Sequence, residues 1–445
     1  MQKTDLIIIG SGPGGYRAAH YAATHGLTVT IIERQHAGGT CLNCGCIPTK
    51  TLVKNAEVMH TLKEAEVYGI DNLSYTVNFG KMMERKNQVV QTLRSGVETL
   101  LATPGITLVR GEARFVDKKV VEVDGEHYTA DNIIIATGSS AKLIPVDGID
   151  LPHVLTSTEL LDIDHIPQRL CIVGAGVIGM EFASVFNALG SQVTVVEFLK
   201  ECLPALDSDI AKRLRQALGK QGVQFCMQAG VKAITKDAVV FERKGKEEQV
   251  EADVVLVATG RKANIEGLNL EACGVETSRM GITVDDNMQT NVPGIYAIGD
   301  VNARMMLAHA ATFQGLRAVN HILGKKDNIR LDIIPSAIFT LPEAGGVGLT
   351  EEQCKAQGLA YTCKKGYYRA NGKALAMNEA EGLVKILADN DGRILGCHIY
   401  GAHAADLVQE ISTLMATDVN IHQLADTVHT HPTIGEILQE VAEQF

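Results

Sequence analysis

Two glycine-rich turns, each 23 positions ahead of an acidic residue, constrain this chain more than any other feature. The first is Gly10-Ser11-Gly12-Pro13-Gly14-Gly15. It follows the apolar run Leu6-Ile7-Ile8-Ile9, precedes an alanine-rich helical stretch, and leads to a second apolar run from Leu27 that closes on Glu33. The second is Gly174-Ala175-Gly176-Val177-Ile178-Gly179, framed by Leu170-Cys171-Ile172-Val173 and by Val193-Thr194-Val195-Val196 closing on Glu197. Strand, GxGxxG turn, helix and a strand ending in an acid make a Rossmann-type start. The glycines let backbone approach a pyrophosphate at the helix N-terminus, and the acid accepts from a ribose diol. Gly10, Gly12, Gly15 and Glu33 are therefore candidates in one copy, and Gly174, Gly176, Gly179 and Glu197 in the other. Two matched fingerprints predict two bound nucleotides. Ala136-Thr137-Gly138 and Ala258-Thr259-Gly260 each end a buried apolar strand in small residues, which suits close passage of backbone to a cofactor; Thr137, Gly138 and Gly260 join the candidates. Glu197 would repel a ribose 2′-phosphate, and Phe198 and Leu199 offer no arginine to hold one, so the second site is expected to prefer NAD over NADP, with Lys200 the one cation nearby.

Between the two fingerprints, Gly38-Gly39-Thr40-Cys41-Leu42-Asn43-Cys44-Gly45-Cys46-Ile47-Pro48-Thr49-Lys50 places three cysteines in six residues. A zinc site needs four ligands, and no second CxxC pair follows. The other seven cysteines are scattered singly. Thiol–disulfide chemistry is thus the favoured reading. On a regular helix, residues three apart have Cα atoms about 5 Å apart and residues five apart about 8.6 Å, against roughly 4.4–6.8 Å for a disulfide. Helical geometry alone favours Cys41–Cys44. Cys41–Cys46 requires an irregular helix start, which Gly45 permits. Spacing leaves both pairings open.

The chain has 445 residues, 21% charged and 46% hydrophobic, enough for two to four domains. Its net charge of -11 argues against nucleic acid or an anionic membrane surface as partner. No apolar run approaches the roughly 18 residues of a membrane span, and none resembles a signal peptide. A cytoplasmic protein is expected, in which cysteines stay reduced unless a disulfide is catalytic. Residues 50–105 read as mainly helical and 106–130 as short strands, with Asp124-Gly125 a turn. Asp300 ends the strand-like Ile295-Tyr296-Ala297-Ile298-Gly299, where it can bind a polyol chain or cap the helix expected from Ala308. From about residue 334, strands alternate with helices and no nucleotide fingerprint appears, which reads as an α+β domain that makes a subunit interface. Val428-His429-Thr430-His431-Pro432-Thr433-Ile434-Gly435-Glu436 offers His429 and His431 as candidate bases, with Glu436 just beyond.

Together these motifs are similar to those of the flavin-dependent pyridine nucleotide–disulfide oxidoreductases, and the resemblance covers essentially the whole chain. The motifs are both glycine turns, GGTCLNCGCIPTK, Glu181 after the second turn, the two Ala-Thr-Gly turns, Ala297-Ile298-Gly299-Asp300, Thr340-Leu341-Pro342-Glu343 and HTHPTIGE. The fold class implied is α/β, with two Rossmann-like nucleotide-binding domains and a C-terminal α+β dimerisation domain. Residues 1–142 and 263–333 would bind FAD, 143–262 NAD, and 334–445 would form the dimer interface. The resemblance implies a disulfide between Cys41 and Cys46, Cys41 exchanging with substrate and Cys46 facing the flavin as a thiolate. It implies a Lys50–Glu181 ion pair beside the flavin, Asp300 on the flavin side chain, and His431 as base with Glu436 its partner, both from the other subunit of a homodimer. It implies FAD and NAD as cofactors and a dithiol on a lipoyl-carrying protein of a 2-oxoacid dehydrogenase or glycine cleavage complex as substrate. No stretch before residue 5 has room for a lipoyl domain, so that carrier is expected to be separate. Cys44 stands where the family has an apolar residue, and is expected to be silent. The alternatives are another NAD(P)H-dependent disulfide or mercuric-type reductase, or a non-catalytic redox sensor on the same fold. The tail Val441-Ala442-Glu443-Gln444-Phe445 lacks the cysteine pair of the mercuric type.

Overall fold

The computed structural model describes residues 1–445. The chain divides into two compact units, Met1–Thr51 with Gly80–Lys142 and Gly260–Leu331, and Leu52–Phe79 with Leu143–Thr259 and Asp332–Phe445.

The first unit is built on a seven-stranded sheet. Leu6 to Ile9 are all buried, so this strand has no polar face, as expected of a parallel strand covered on both sides. Gln2–Ile9 pairs in parallel with Val29–Glu33 on one side and Glu126–Ile135 on the other; Ile9 lies opposite both Ile32 and Ile135. That register brings the ends of three strands level, so the turns after Ile9, Glu33 and Ile135 gather at one edge, where such sheets bind ligands. Ile106–Arg110 extends the sheet beyond Val29–Glu33, and Ile295–Ala297 pairs in parallel with Glu126–Ile135. The turn expected at Asp124-Gly125 joins two antiparallel strands, both residues at positive φ (50° and 84°), as a two-residue hairpin requires. Between residues 50 and 105 the helices are Cys46–Lys63 and Phe79–Leu101; 69–78, expected as part of a mainly helical region, is irregular. A two-stranded ribbon, Ser139–Ala141 against Arg261–Ala263, ends this unit's second passage and begins its last.

The second unit holds three sheets. One is a five-stranded parallel sheet in the order Gln224–Met227, Gln192–Glu197, Arg169–Val173, Val254–Val257, Val154–Leu155. The second is a three-stranded antiparallel meander, Ala229–Ile234, Ala238–Arg243 and Lys246–Glu251. The third is a five-stranded sheet in the order Ser336–Ile338, Ala344–Gly348, Ile394–Tyr400, Leu383–Ala388, Thr362–Tyr367. Its core joins Val384, Ile386 and Ile399 to Val408 and Ile411 of the helix Ala404–Ala416 and to Ile437 and Leu438 of Glu436–Ala442. Within this unit Lys385, 1% exposed, reaches Asp207 (0% exposed) at 2.9 Å and Glu351 at 2.6 Å. This buried ion cluster ties the helix that Asp207 caps, Ser208–Lys220, to the antiparallel sheet.

Candidate active site

Two nucleotide cradles have the same construction. At Gly10 (φ +104°) a Cβ would lie 2.4 Å from the Ala136 carbonyl oxygen, and at Gly174 (φ +107°) one would lie 2.5 Å from that of Ala258. Only glycine lets each turn cross over the neighbouring Ala-Thr-Gly turn. Gly12 and Gly176 then open the helices Pro13–Thr24 and Val177–Leu189 with no side-chain cap, so the first-turn N–H groups are presented outward. That is the arrangement that receives a phosphate anion. Glu33 accepts the Ser11 N–H (2.9 Å) and Oγ–H (2.7 Å) on one oxygen and the Gln35 N–H (2.8 Å) on the other. Glu197 accepts the Ala175 N–H (2.5 Å) and the Leu199 N–H (2.7 Å) in the same way. Each partner lies 164 positions after its counterpart (174 − 10, 175 − 11, 197 − 33, 199 − 35). A carboxylate has about four lone-pair sites, so both retain acceptor capacity for ribose hydroxyls.

Asp300 sits in a short turn, Gly299–Asn302, and the helix Ala308–Ile322 is opened by Leu307 with no side-chain cap. The capping role considered for Asp300 is therefore not taken. Its Oδ2 instead accepts from Ser139 Oγ at 2.5 Å, and Arg261 Nε donates to the same hydroxyl at 2.7 Å. Thr137 Oγ donates to the Asn264 carbonyl at 2.7 Å, and Asn264 Nδ2 returns a bond to the Thr137 carbonyl at 3.0 Å. Ser139 and Asn264 were not singled out by motif, whereas Arg261 ends the motif Ala258-Thr259-Gly260-Arg261; the available signal for Ser139 was adjacency, since it follows Gly138.

The cysteine stretch follows the first cradle. The helix Gly39–Cys44 stops at Gly45 (φ −146°, ψ −111°), and a new helix starts at Cys46. A Cβ on Gly45 would lie 2.9 Å from the Thr40 carbonyl oxygen and 3.3 Å from Cys41 Cα. The chain is thus folded back against Cys41, which shortens the five-residue separation a regular helix would impose. Cys41 and Cys46 share a side-chain hydrogen bond. That bond, then burial, then the charge of Cys46 push the Cys41 thiol far up, against the opposing charge of Lys50. Lys50 follows Cys46 by four positions on the same helix. Asn43 fixes the cysteine helix: Nδ2 donates to the carbonyls of Ala37 (3.0 Å) and Gly39 (2.9 Å), and Oδ1 accepts from Arg94 Nε (2.8 Å). Cys44, half-buried, is on the same helix as Cys41.

In the second unit, His431 Nδ1 lies 2.8 Å from Glu436 Oε1, and Glu436 Oε2 accepts the Thr433 N–H at 2.7 Å. The Thr433 amide and then His431 hold the Glu436 carboxyl below its usual range. An ionised carboxylate only accepts, so Nδ1 carries the hydrogen and Nε2 is the ring's proton acceptor. The His431 side chain is 81% exposed on the single chain. His429 differs. Both ring nitrogens are engaged at 2.9 Å, Nδ1 by the Thr427 carbonyl and Nε2 by Glu410. Burial lowers its pKa, but the Thr427 carbonyl and Glu410 outweigh that and raise it. Of the two candidate bases, only His431 presents an acceptor. Glu181 is buried on Val177–Leu189 and accepts the Phe339 N–H at 3.0 Å.

Residues 4–315 match the pyridine nucleotide-disulphide oxidoreductase family, and residues 334–442 match its dimerisation domain. The chain is 39% identical to the dihydrolipoyl dehydrogenase of Chlamydia trachomatis, over 98% of this chain and 96% of that one. It is 40% identical to the mitochondrial dihydrolipoyl dehydrogenase of Pisum sativum, over 99% and 91%. Among solved structures, the HOCl-induced flavoprotein disulfide reductase RclA from Escherichia coli superposes with a TM-score of 0.88 at 30% identity, over 99% of both chains. The chain belongs to the pyridine nucleotide–disulphide oxidoreductase family. It is an FAD-dependent oxidoreductase that uses NAD(H) and assembles as a homodimer. No helix is long and apolar enough to cross a membrane. The outward-facing helix N-termini, the fixed Glu33 and Glu197 and the acceptor at Asp300 fit two dinucleotides.

Proposed function

We propose that this oxidoreductase is a dihydrolipoyl dehydrogenase, oxidising protein-bound dihydrolipoamide to lipoamide through a Cys41–Cys46 disulfide, FAD and NAD. The observation that carries the reading is the hydrogen-bonded Cys41/Cys46 pair folded across Gly45. Near-40% identity over nearly the full chain to dihydrolipoyl dehydrogenases supports the choice of substrate.

In the proposed cycle, Nε2 of His431 of the partner subunit takes a proton from one substrate thiol. Glu436 of the partner subunit stabilises the resulting imidazolium. The substrate thiolate attacks the Cys41 sulfur, the Cys41–Cys46 bond breaks, and Cys46 leaves as a thiolate. The second substrate thiol, deprotonated in turn, attacks the mixed disulfide. Cyclic lipoamide departs and Cys41 leaves with a proton, so the substrate's two electrons now reside on the cysteine pair. When bound, FAD and NAD supply the onward transfer of that electron pair. Gly10, Gly12, Gly15, Glu33, Thr137, Gly138 and Asp300 would hold FAD, with Lys50 and Glu181 an ion pair beside it. Gly174, Gly176, Gly179, Glu197 and Gly260 would hold NAD. The boundaries proposed are 1–142 and 263–333 for FAD, 143–262 for NAD and 334–445 for dimerisation. The lipoyl carrier would be a protein of a 2-oxoacid dehydrogenase or glycine cleavage complex, and the compartment the cytoplasm, where other thiols stay reduced.

The test is turnover of dihydrolipoamide with NAD by the purified homodimer, beside a panel of other disulfides and dithiols. His431→Ala is expected to abolish lipoamide turnover while keeping FAD. Normal activity in that variant would remove His431 from the mechanism, and turnover of another disulfide alone would replace the substrate.

A further inference from the structure

The helix Phe79–Leu101 buries Val90, Val97 and Leu101 in the core of the first unit, a stripe at helical spacing. Arg94 stands in that stripe, four positions after Val90 and three before Val97, and is half-buried. The spacing calls for an apolar side chain at this position. A cation taken from water there costs free energy unless a partner receives it. The hydrogen bond its guanidinium makes is from Nε to Asn43 Oδ1 at 2.8 Å, a neutral acceptor and not a carboxylate.

Asn43 ties the cysteine helix Gly39–Cys44 to the first nucleotide cradle. Its Nδ2 donates to the carbonyls of Ala37 and Gly39. Those two residues flank Gly38, whose N–H donates to the Ser11 carbonyl at 3.0 Å. Gly39 lies so close to the cradle that a Cβ on it would be 2.6 Å from Gly12 Cα. Gly38 and Gly39 are both at positive φ, 98° and 62°. Two successive glycines supply little stiffness of their own, and the Asn43 amide bridges them. A guanidinium only donates, so Arg94 keeps Oδ1 turned toward itself and both amide hydrogens on the carbonyls. The contacts thus run from Arg94 through Asn43 and the double-glycine turn to the cradle, and along one short helix to Cys41 and the fold-back at Gly45.

We propose that Arg94, acting through Asn43, is a positioning residue that sets the placement of the Cys41/Cys46 pair against the first cradle. The inference rests on the functional reading above. Neither Arg94 nor Asn43 exchanges a proton or an electron, so the balance of the proposed cycle is unchanged. Placement of reacting groups is where such a residue acts, because a shift of about 1 Å can cost about 10²-fold in rate.

The test is Arg94→Leu in the FAD-loaded homodimer. Leucine completes the apolar stripe, so the thermal midpoint and FAD content are expected to hold or rise. The kcat for dihydrolipoamide with NAD is nonetheless expected to fall about tenfold, with KM unchanged. After reduction by excess dithiothreitol, the long-wavelength absorbance of the Cys46 thiolate against the flavin is expected to be weaker than in the native protein. Asn43→Asp keeps a partner for Arg94 but removes both Nδ2 donors, and the same losses are expected. Arg94→Lys, which keeps a donor, is expected to restore most of the rate. Native kcat and native absorbance in both Arg94→Leu and Asn43→Asp would overturn the inference. So would a fall in kcat that merely follows loss of FAD or of thermal midpoint. Absence of dihydrolipoamide turnover in the native protein would overturn the functional reading instead, and the absorbance of the dithiothreitol-reduced variants would still decide the placement.

Discussion

His431 Nδ1 and Glu436 Oε1 are 2.8 Å apart, and the same carboxylate is pinned from behind by the Thr433 amide. In the proposed cycle the carboxylate orients the ring and neutralises the imidazolium. Glu436→Gln keeps the size and an acceptor oxygen but removes the charge. Lipoamide turnover is expected to fall about 10²-fold, with FAD content unchanged. Steady-state kinetics on the FAD-replete variant checks this, and a change under threefold would put the charge outside the reaction.

The break at Gly45 should govern the redox poise of the cysteines. In Gly45→Ala the new Cβ meets the Thr40 carbonyl oxygen at 2.9 Å and Cys41 Cα at 3.3 Å. Backbone cannot yield as a side-chain tip does, so the two sulfurs move apart and the disulfide becomes harder to form. A redox titration should show the midpoint potential raised by about 30 mV or more, a tenfold change in equilibrium. An unchanged midpoint would show that the close turn is incidental.

Cys44 shares a helix with Cys41, but the hydrogen bond of Cys41 runs to Cys46. Cys44→Ala is therefore expected to keep turnover within twofold. Peptide mapping of the oxidised protein should find Cys41 joined to Cys46 in both forms. A Cys41–Cys44 disulfide in the native protein would contradict this.

Lys385 supplies the charge that makes Asp207, 0% exposed, tolerable in the interior. Lys385→Met leaves that carboxylate unpaired and is expected to cost about 3–5 kcal/mol, read as a lower urea midpoint for the second unit; adding Asp207→Leu should recover most of the loss. The same cluster sets an acid limit. Lys355 and then Lys385 hold the Glu351 carboxyl at about 2, below its ordinary 4.5. A depressed folded-state value means stability that is fully present above 4.5 and lost as pH falls toward about 2. Thermal midpoints between pH 6 and 3 should fall more steeply in the native protein than in Glu351→Gln.

What could be read ahead of the structure was local. A buried apolar run, a glycine turn and an acid lie within a few dozen residues, so both strand–turn–helix–strand units were legible down to Glu33 and Glu197. The meander at 229–251 was not, because strands such as Lys246-Glu247-Glu248-Gln249-Val250-Glu251 are half-exposed and carry little apolar alternation. Ala344–Gly348 carries three glycines and is a strand because Ser336–Ile338 and Ile394–Tyr400 pair with it on its two sides. Distance in sequence hid the rest. Lys385 meets Asp207 across 178 positions, Asp300 meets Ser139 across 161, and Glu410, which occupies His429, lies 19 positions upstream. Regular helical geometry favoured Cys41–Cys44 and spacing left both pairings open, because the fold-back at Gly45 is a tertiary event.

The ribbon of Ser139–Ala141 and Arg261–Ala263 is closed by the Lys142 N–H on the Gly260 carbonyl at 3.0 Å. The chain therefore leaves the first unit after Lys142 and re-enters it at Gly260 at one spot. Residues 143–259 run between the two strands of that ribbon, as an inserted segment is accommodated in a surface loop. On the proposed boundaries the segment taken to hold NAD enters and leaves at this one ribbon, so a change of electron acceptor need not rebuild the seven-stranded sheet.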